Sequence, residues 1–159
     1  MAGRMHESRM GYLEFNVMDE TSGETDVTDG LTGLPNRRGF EVVIDNEERR
    51  CRRYDGTPAV FVIELADGDG DLADDVLRTA AATLATAIRD TDVLARVDGD
   101  VFALLATNCD EDGIKFLAGR LKLWLEIAGI PASVRARRRV TDLQQAWREA
   151  LIPPGSESS

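Results

Sequence analysis

Histidine is almost absent from this chain, with His6 its sole example, and the two cysteines, Cys51 and Cys109, lie far apart in sequence. That scarcity excludes most histidine-based metal centres and catalytic triads, and any C-x-x-C site, and leaves both thiols as reduced packing residues. No apolar run reaches bilayer-spanning length and no apolar signal segment opens the chain, so a cytoplasmic location and no membrane partner are expected. Positive charge is in deficit as well. Acidic residues outnumber basic ones 29 to 19, and a net charge of −10 repels a phosphate backbone, which excludes general nucleic-acid binding. What the 159 residues do hold is 43% apolar content, enough for the buried core of one domain.

Residues 1–25 read as an acidic leader, with an apolar alternation at Leu13, Phe15 and Val17 that suits a short strand or nothing. Residues 26–152 carry the globular pattern, and 153–159 form a Pro- and Ser-rich tail. From Asn36, a good N-cap, helical spacing places Phe40, Val43, Ile44, Cys51 and Tyr54 on a first core helix. Ala59 to Leu65 is a buried strand that runs into the acidic turn cluster Asp67-Gly68-Asp69-Gly70-Asp71. Leu72 to Ile88 has one apolar face, predicting a long helix ending near Asp90. Val93–Val97 and Val101–Leu105 flank Asp98-Gly99, a dipeptide suited to a hairpin turn with positive φ at both positions. A helix led by Asp110, Glu111 and Asp112 then buries Ile114, Leu117, Leu121 and Leu125 and stops at Gly129. A strand over Ala132–Val140 and a helix over Leu143–Leu151, capped by Thr141-Asp142, complete the pattern. The expected class is α+β, an antiparallel-rich central sheet flanked by helices.

Two stretches narrow this further. Asp29-Gly30-Leu31-Thr32-Gly33-Leu34-Pro35-Asn36-Arg37-Arg38 and the hairpin Arg96-Val97-Asp98-Gly99-Asp100-Val101-Phe102 together resemble the GGDEF domain family, the diguanylate cyclases, whose pattern is D-x-L-T-G-L-x-N-R-R followed by R-x-G-G-D-E-F. The resemblance covers residues 26–152 and implies the nucleotidyl-cyclase-like form of the sheet. It also implies a chemistry in which each domain of an antiparallel pair binds one GTP and Mg²⁺ activates the attacking hydroxyl. Such an ion favours carboxylates and water.

Judged by that resemblance, the motif is degenerate. Val101 stands where the family places a metal-binding glutamate, and an isopropyl group has no lone pair to give. Glu64 takes the family's aspartate position at the end of the first strand, the one metal-ligand candidate left. Asp98 replaces the first glycine and brings a Cβ and a negative charge toward the phosphates. Only nine residues separate Glu64 from Asp74, fewer than the family uses there, and the guanine-reading asparagine goes with the missing segment. The family's serine-x-glycine strand appears as Ser133-Val134-Arg135-Ala136, and Pro153 falls near the place of a phosphate-gripping lysine. Glu64, Asp98, Gly99, Asp100, Val101 and Phe102 are thus remnants, and no catalytic residue or cofactor is expected, with Mg²⁺ entering only under residual cyclase activity. The acidic cluster fails as a Ca²⁺ loop, because its sixth position is Leu72 and its twelfth Arg78.

Arg89-Asp90-Thr91-Asp92 matches the family's R-x-x-D inhibitory site, and Arg120 matches an arginine on the following helix that adds a second grip in some members. The resemblance implies a cyclic di-GMP contact: Arg89 with its planar fork on phosphate or guanine, Asp92 accepting from guanine N–H groups. Solvated charge at a helix end is the plainer reading of Arg89 and Asp92. Arg135, Arg137, Arg138 and Arg139 read as an edge-strand guard. Three functions stay open. The first is a non-catalytic cyclic di-GMP receptor. The second is an active diguanylate cyclase using Asp69, Asp71 or Asp100 as substitute ligands. The third is an interaction or dimerisation module, with a homodimer or a protein partner.

Overall fold

A computed structural model describes residues 26–65 and 72–153 of the chain. The apolar alternation at Leu13, Phe15 and Val17 and the acidic cluster from Asp67 to Asp71 lie outside the described residues. The elements run α1 (Arg37–Tyr54), β1 (Ala59–Leu65), α2 (Asp74–Thr86), β2 (Val93–Asp98), β3 (Val101–Ala106), α3 (Glu111–Ile127), β4 (Ala132–Arg138) and α4 (Leu143–Leu151). The four strands form one sheet in the order β2-β3-β1-β4, and every pairing is antiparallel. This is the α+β architecture that the residue pattern predicts.

Side-chain alternation in β1 builds the two layers. Ala59, Phe61 and Ile63 face α2 and α3, where Leu77, Leu84, Leu121 and Leu125 close a first core with Phe102. Val60 and Val62 face α1 and α4 and meet Phe40, Val43, Ile44, Leu143 and Trp147. Phe40 and Trp147 pack edge to face with centroids 4.9 Å apart.

The helix ends follow local chemistry. Asn36, Asp110 and Asp142 each accept a hydrogen bond from the backbone N–H three residues on, the expected N-cap geometry. Gly39 in the first turn of α1 is demanded by packing, since a Cβ there would lie 2.4 Å from the Val27 carbonyl oxygen. Gly33, at φ +76°, turns the loop before α1 back so that its N–H reaches the Asp29 carbonyl at 2.8 Å.

Several boundaries differ from expectation. Helix α2 ends at Thr86 and not near Asp90, because Arg89 and Asp92 form a turn of their own. Strand β4 ends at Arg138, two residues early, where β1 begins opposite it at Ala59. The hairpin turn is Gly99-Asp100, closed by the pair Asp98 and Val101. Neither Asp98 nor Gly99 has positive φ, because a register shift between Arg96 and Asp98 absorbs the twist.

Candidate functional site

The two motifs that are distant in sequence meet at one end of the sheet. Arg96 on β2 donates from Nη1 to the Asp29 carboxylate at 3.1 and 3.3 Å, and from Nε and Nη2 to the Gly99 carbonyl at 3.1 and 2.8 Å. Asp29 also accepts from the Thr32 hydroxyl at 2.7 Å and the Thr32 N–H at 2.9 Å. Burial works against its charged form, but these bonds and the Arg96 guanidinium outweigh burial and hold the carboxyl below its usual range. A pocket of about 330 Å³ lies between the hairpin and the start of α1, lined by Asp29, Arg37, Arg38, Arg96, Asp98 and Gly99 among others. Asp98 sets its negative charge on that wall, and its Oδ1 accepts from the Gly99 N–H at 2.8 Å.

Register places the metal-ligand candidate opposite the altered residue. Glu64 pairs across the strands with Val101 on one side and Ser133 on the other. Its Oε1 accepts from Arg135 Nη1 at 3.0 Å. The rest of that guanidinium is engaged too, with Nε on the Ala150 carbonyl at 3.0 Å and Nη2 on the Leu151 carbonyl at 3.3 Å, where it satisfies the carbonyl end of α4. Asp100 is partly exposed in the turn, and its carbonyl accepts the Leu65 N–H at 3.0 Å. Phe102 is fully buried in the core against α2 and α3. Among the described residues no three His, Cys, Asp or Glu side chains converge in a way that could hold a metal ion. The described residues therefore do not fit Mg²⁺: one carboxylate is already ion-paired, and its cross-strand neighbour offers no oxygen.

The arginine cluster on β4 and at the residue after it is more than an edge guard. The strand is an edge, yet Arg135 pairs with Glu64, Arg137 with Glu149, Arg138 with Glu111 and Arg139 with Glu48. The signal for the Glu64 partner was present in the sequence: antiparallel pairing of two alternating strands sets Ser133 against Glu64 and puts Arg135 on the same face.

Arg89, Asp92 and Arg120 line one further pocket, of about 240 Å³, together with Asn108, Cys109, Gly113, Phe116 and Leu117. It lies between the turn after α2 and the exposed side of α3. Arg89 is exposed and donates from Nη2 to the Asn108 carbonyl at 3.0 Å. Asp92 is not solvated, as the helix-end reading expected, but 1% exposed. Its Oδ2 accepts the Arg89 N–H at 2.9 Å, and its Oδ1 lies 3.6 Å from Arg89 Nη2. This carboxylate builds the turn that carries Arg89. Cys109 lines the same pocket, and burial, with Asp92 and Asp110 adding to it, raises its thiol above the usual range against the pull of Arg89. Nothing in the residue pattern marks Asn108 or Phe116 for this pocket, because only the chain's return through β2 and β3 brings them beside Arg89.

The diguanylate cyclase GGDEF domain matches residues 26–145. The chain belongs to the GGDEF domain family. Probable diguanylate cyclase DgcC of Escherichia coli (strain K12) is 32% identical over 84 residues, which cover 48% of this chain and 23% of that protein. The cyclic di-GMP phosphodiesterase NbdA of Pseudomonas aeruginosa is 33% identical over 100 residues, covering 58% of this chain and 13% of that protein. The chain thus spans a small part of the length of the relatives it matches. Among solved structures, the coiled coil and GGDEF domain of DgcB from Caulobacter crescentus in complex with c-di-GMP has a TM-score of 0.68 at 21% identity, covering 91% of this chain and 83% of that one. That likeness concerns the fold. No helix among the described residues is long and apolar enough to cross a membrane.

Proposed function

We propose that this GGDEF domain is a non-catalytic receptor for cyclic di-GMP, read through Arg89, Asp92 and Arg120. The observation that carries the proposal is that these three residues line one pocket although they come from a turn and a separate helix. Two arginines beside a half-apolar wall suit an anionic, planar ligand: guanidinium forks grip phosphate or a guanine edge, while Phe116 and Leu117 meet a base face. The pocket is smaller than the roughly 300–1,000 Å³ of drug-sized sites. It takes one guanine-and-phosphate end, with the remainder lying out over exposed Arg120. Asp92 fixes the direction of Arg89 from beneath. Support for a non-catalytic role comes from the other end of the sheet, where Glu64 is ion-paired to Arg135 and faces Val101.

Titration calorimetry with cyclic di-GMP tests this. Heat is expected with the wild type, strongly reduced for Arg89→Ala and Arg120→Ala. No heat, or equal affinity for Arg89→Ala, removes the proposal. Incubation with GTP and Mg²⁺ or Mn²⁺, read by chromatography, is expected to yield no cyclic dinucleotide.

A further inference from the structure

Strand β4 is an edge of the sheet among the described residues. In β1 the Leu65 N–H turns toward β3, where the Asp100 carbonyl accepts it at 3.0 Å, so the backbone groups of Glu64, Val62 and Val60 turn the other way, toward β4. Their partners Ser133, Arg135 and Arg137 bond inward, and the Arg139 N–H continues the alternation at 2.9 Å from the Pro58 carbonyl. Val134, Ala136 and Arg138 therefore point their backbone groups outward. Among the described residues the N–H groups of these three meet no acceptor, and of their carbonyls only that of Ala136 is taken, by Arg137 Nη1 at 3.1 Å. Such a row is a template for one more strand.

The two faces of this edge select its occupant. Val134 and Ala136 lie on the side of α2 and α3, only partly buried against that core. On the side of α4, the Arg135 guanidinium is fully engaged, whereas Arg137 is half-exposed with Glu149 at 3.9 Å. A matching strand carries apolar residues at alternate positions and an acid where Arg137 falls. Tyr12-Leu13-Glu14-Phe15-Asn16-Val17-Met18 has that order. Laid antiparallel to β4 with Val17 opposite Val134 and Phe15 opposite Ala136, it sets Glu14 opposite Arg137 and neutral Asn16 opposite Arg135. Residues 10–25 hold four acidic residues and no lysine or arginine, which suits an edge bearing arginines. The length suffices as well. The Asp26 carbonyl accepts from Asn36 Nδ2 at 3.1 Å, and Pro35 accepts the Arg96 N–H, so the described chain begins beside β2 at the hairpin end of the sheet. Ala132 of β4 pairs with Leu65 at that same end. From β2 to a strand beyond β4 is about 19 Å of strand spacings, and the stretch from Val17 to Asp26 reaches about 30 Å when extended. We infer that residues 12–18 dock on the open edge of β4 in their own chain, as a fifth, antiparallel strand.

Amide hydrogen exchange on the full chain, read residue by residue by NMR, tests the inference. The Val134, Ala136 and Arg138 amides are expected to exchange about tenfold or more slower in the wild type than in Phe15→Pro, which cannot donate to the ladder. The Val62 amide, in the middle of the sheet, is expected to stay slow in both, which shows that the variant keeps its fold. Glu14→Cys with Arg137→Cys places two thiols directly opposite at a non-hydrogen-bonded pair, and oxidation is expected to close a disulfide within one chain. Fast exchange at the three outward amides of the wild type overturns the inference. So does slow exchange that Phe15→Pro leaves unchanged, because something other than residues 12–18 then covers the edge. A disulfide that forms only between two chains overturns docking within one chain. No nucleotide enters these measurements, so their failure is distinct from failure of the cyclic di-GMP proposal.

Discussion

Asp29 and Arg96 join the two parts of the chain that define its family. The Arg96 guanidinium lies 3.1 Å from Asp29 in the loop before α1, while its other nitrogens hold the Gly99 carbonyl in the hairpin turn. The Arg96 N–H also donates to the Pro35 carbonyl at 2.9 Å, so backbone and side chain of one residue fasten the loop to β2. One arginine therefore sets the spacing between the start of α1 and the altered hairpin, whatever the hairpin's chemistry has become.

Removing either partner leaves the other short of hydrogen bonds in a site less than one-fifth exposed. Arg96→Ala and Asp29→Ala are each expected to destabilise by about 1.5–3 kcal/mol, the range for hydrogen bonds to charged groups. Urea unfolding of both singles and the double is expected to show strong coupling, with the double costing much less than the sum. Additive losses would mean that the two residues act separately.

Glu48 on α1 is 1% exposed. It accepts from Arg139 at 2.7 and 2.9 Å, from Arg52 at 2.9 Å and from the Leu143 N–H at 2.8 Å, tying α1 to the end of β4 and the start of α4. The Arg139 hydrogen bonds lead in holding its carboxyl down, from the usual 4.5 to about 2, against the cost of burial. A carboxyl depressed by folding contributes fully above its unfolded pKa and loses that contribution as pH falls through the folded one. Stability from this group is therefore expected to decline between about pH 4.5 and 2, each unit of difference being worth about 1.4 kcal/mol. Glu48→Gln, unfolded by urea across that window, is expected to show a flatter pH dependence than the wild type. An unchanged slope would exclude Glu48 as its source.

Element order, the burial of β1 and the N-caps Asn36 and Asp142 were legible in the residues because they rest on local periodicity and on single side chains, whereas Asp110 read only as charge at a helix start and proves to be the N-cap of α3. The turn after α2 was not, since Asp92 read as solvated charge at a helix end, and only the folded chain buries it and sets it on the Arg89 N–H. The hairpin turn was misjudged because Asp98-Gly99 favours positive φ locally, while the register shift in β2 carries the twist. Arg135 looked like a solvent-facing guard, and its role depends on α4 returning over β4 to offer two carbonyls.

Cys51 and Cys109 are both buried, and burial is the leading cause that pushes each thiol up; Glu47 adds to it at Cys51. The thiolate is the reactive form. Neither cysteine is expected to react with a thiol reagent in the folded protein near neutral pH, and both are expected to react at once in denaturant. Fast labelling of one thiol under native conditions would show local opening, at α1 if Cys51 and at the Arg89 pocket if Cys109.

The Glu64 site has a cation already, the Arg135 guanidinium, and Val101 keeps a second carboxylate away. The wild type is accordingly expected to show no thermal shift with Mn²⁺. Arg135→Ala is expected to cost about 1–3 kcal/mol, because it strands Glu64 and two carbonyls at the end of α4. Adding Val101→Glu places two carboxylates directly opposite across antiparallel strands, at Cβ separations of about 4.5–5.5 Å, where they repel. The double variant is therefore expected to be less stable still without metal and to recover with Mn²⁺, since a bound cation stabilises only the folded form. A wild type stabilised by Mn²⁺ as strongly as the double variant would show that Arg135 does not hold the place of the ion.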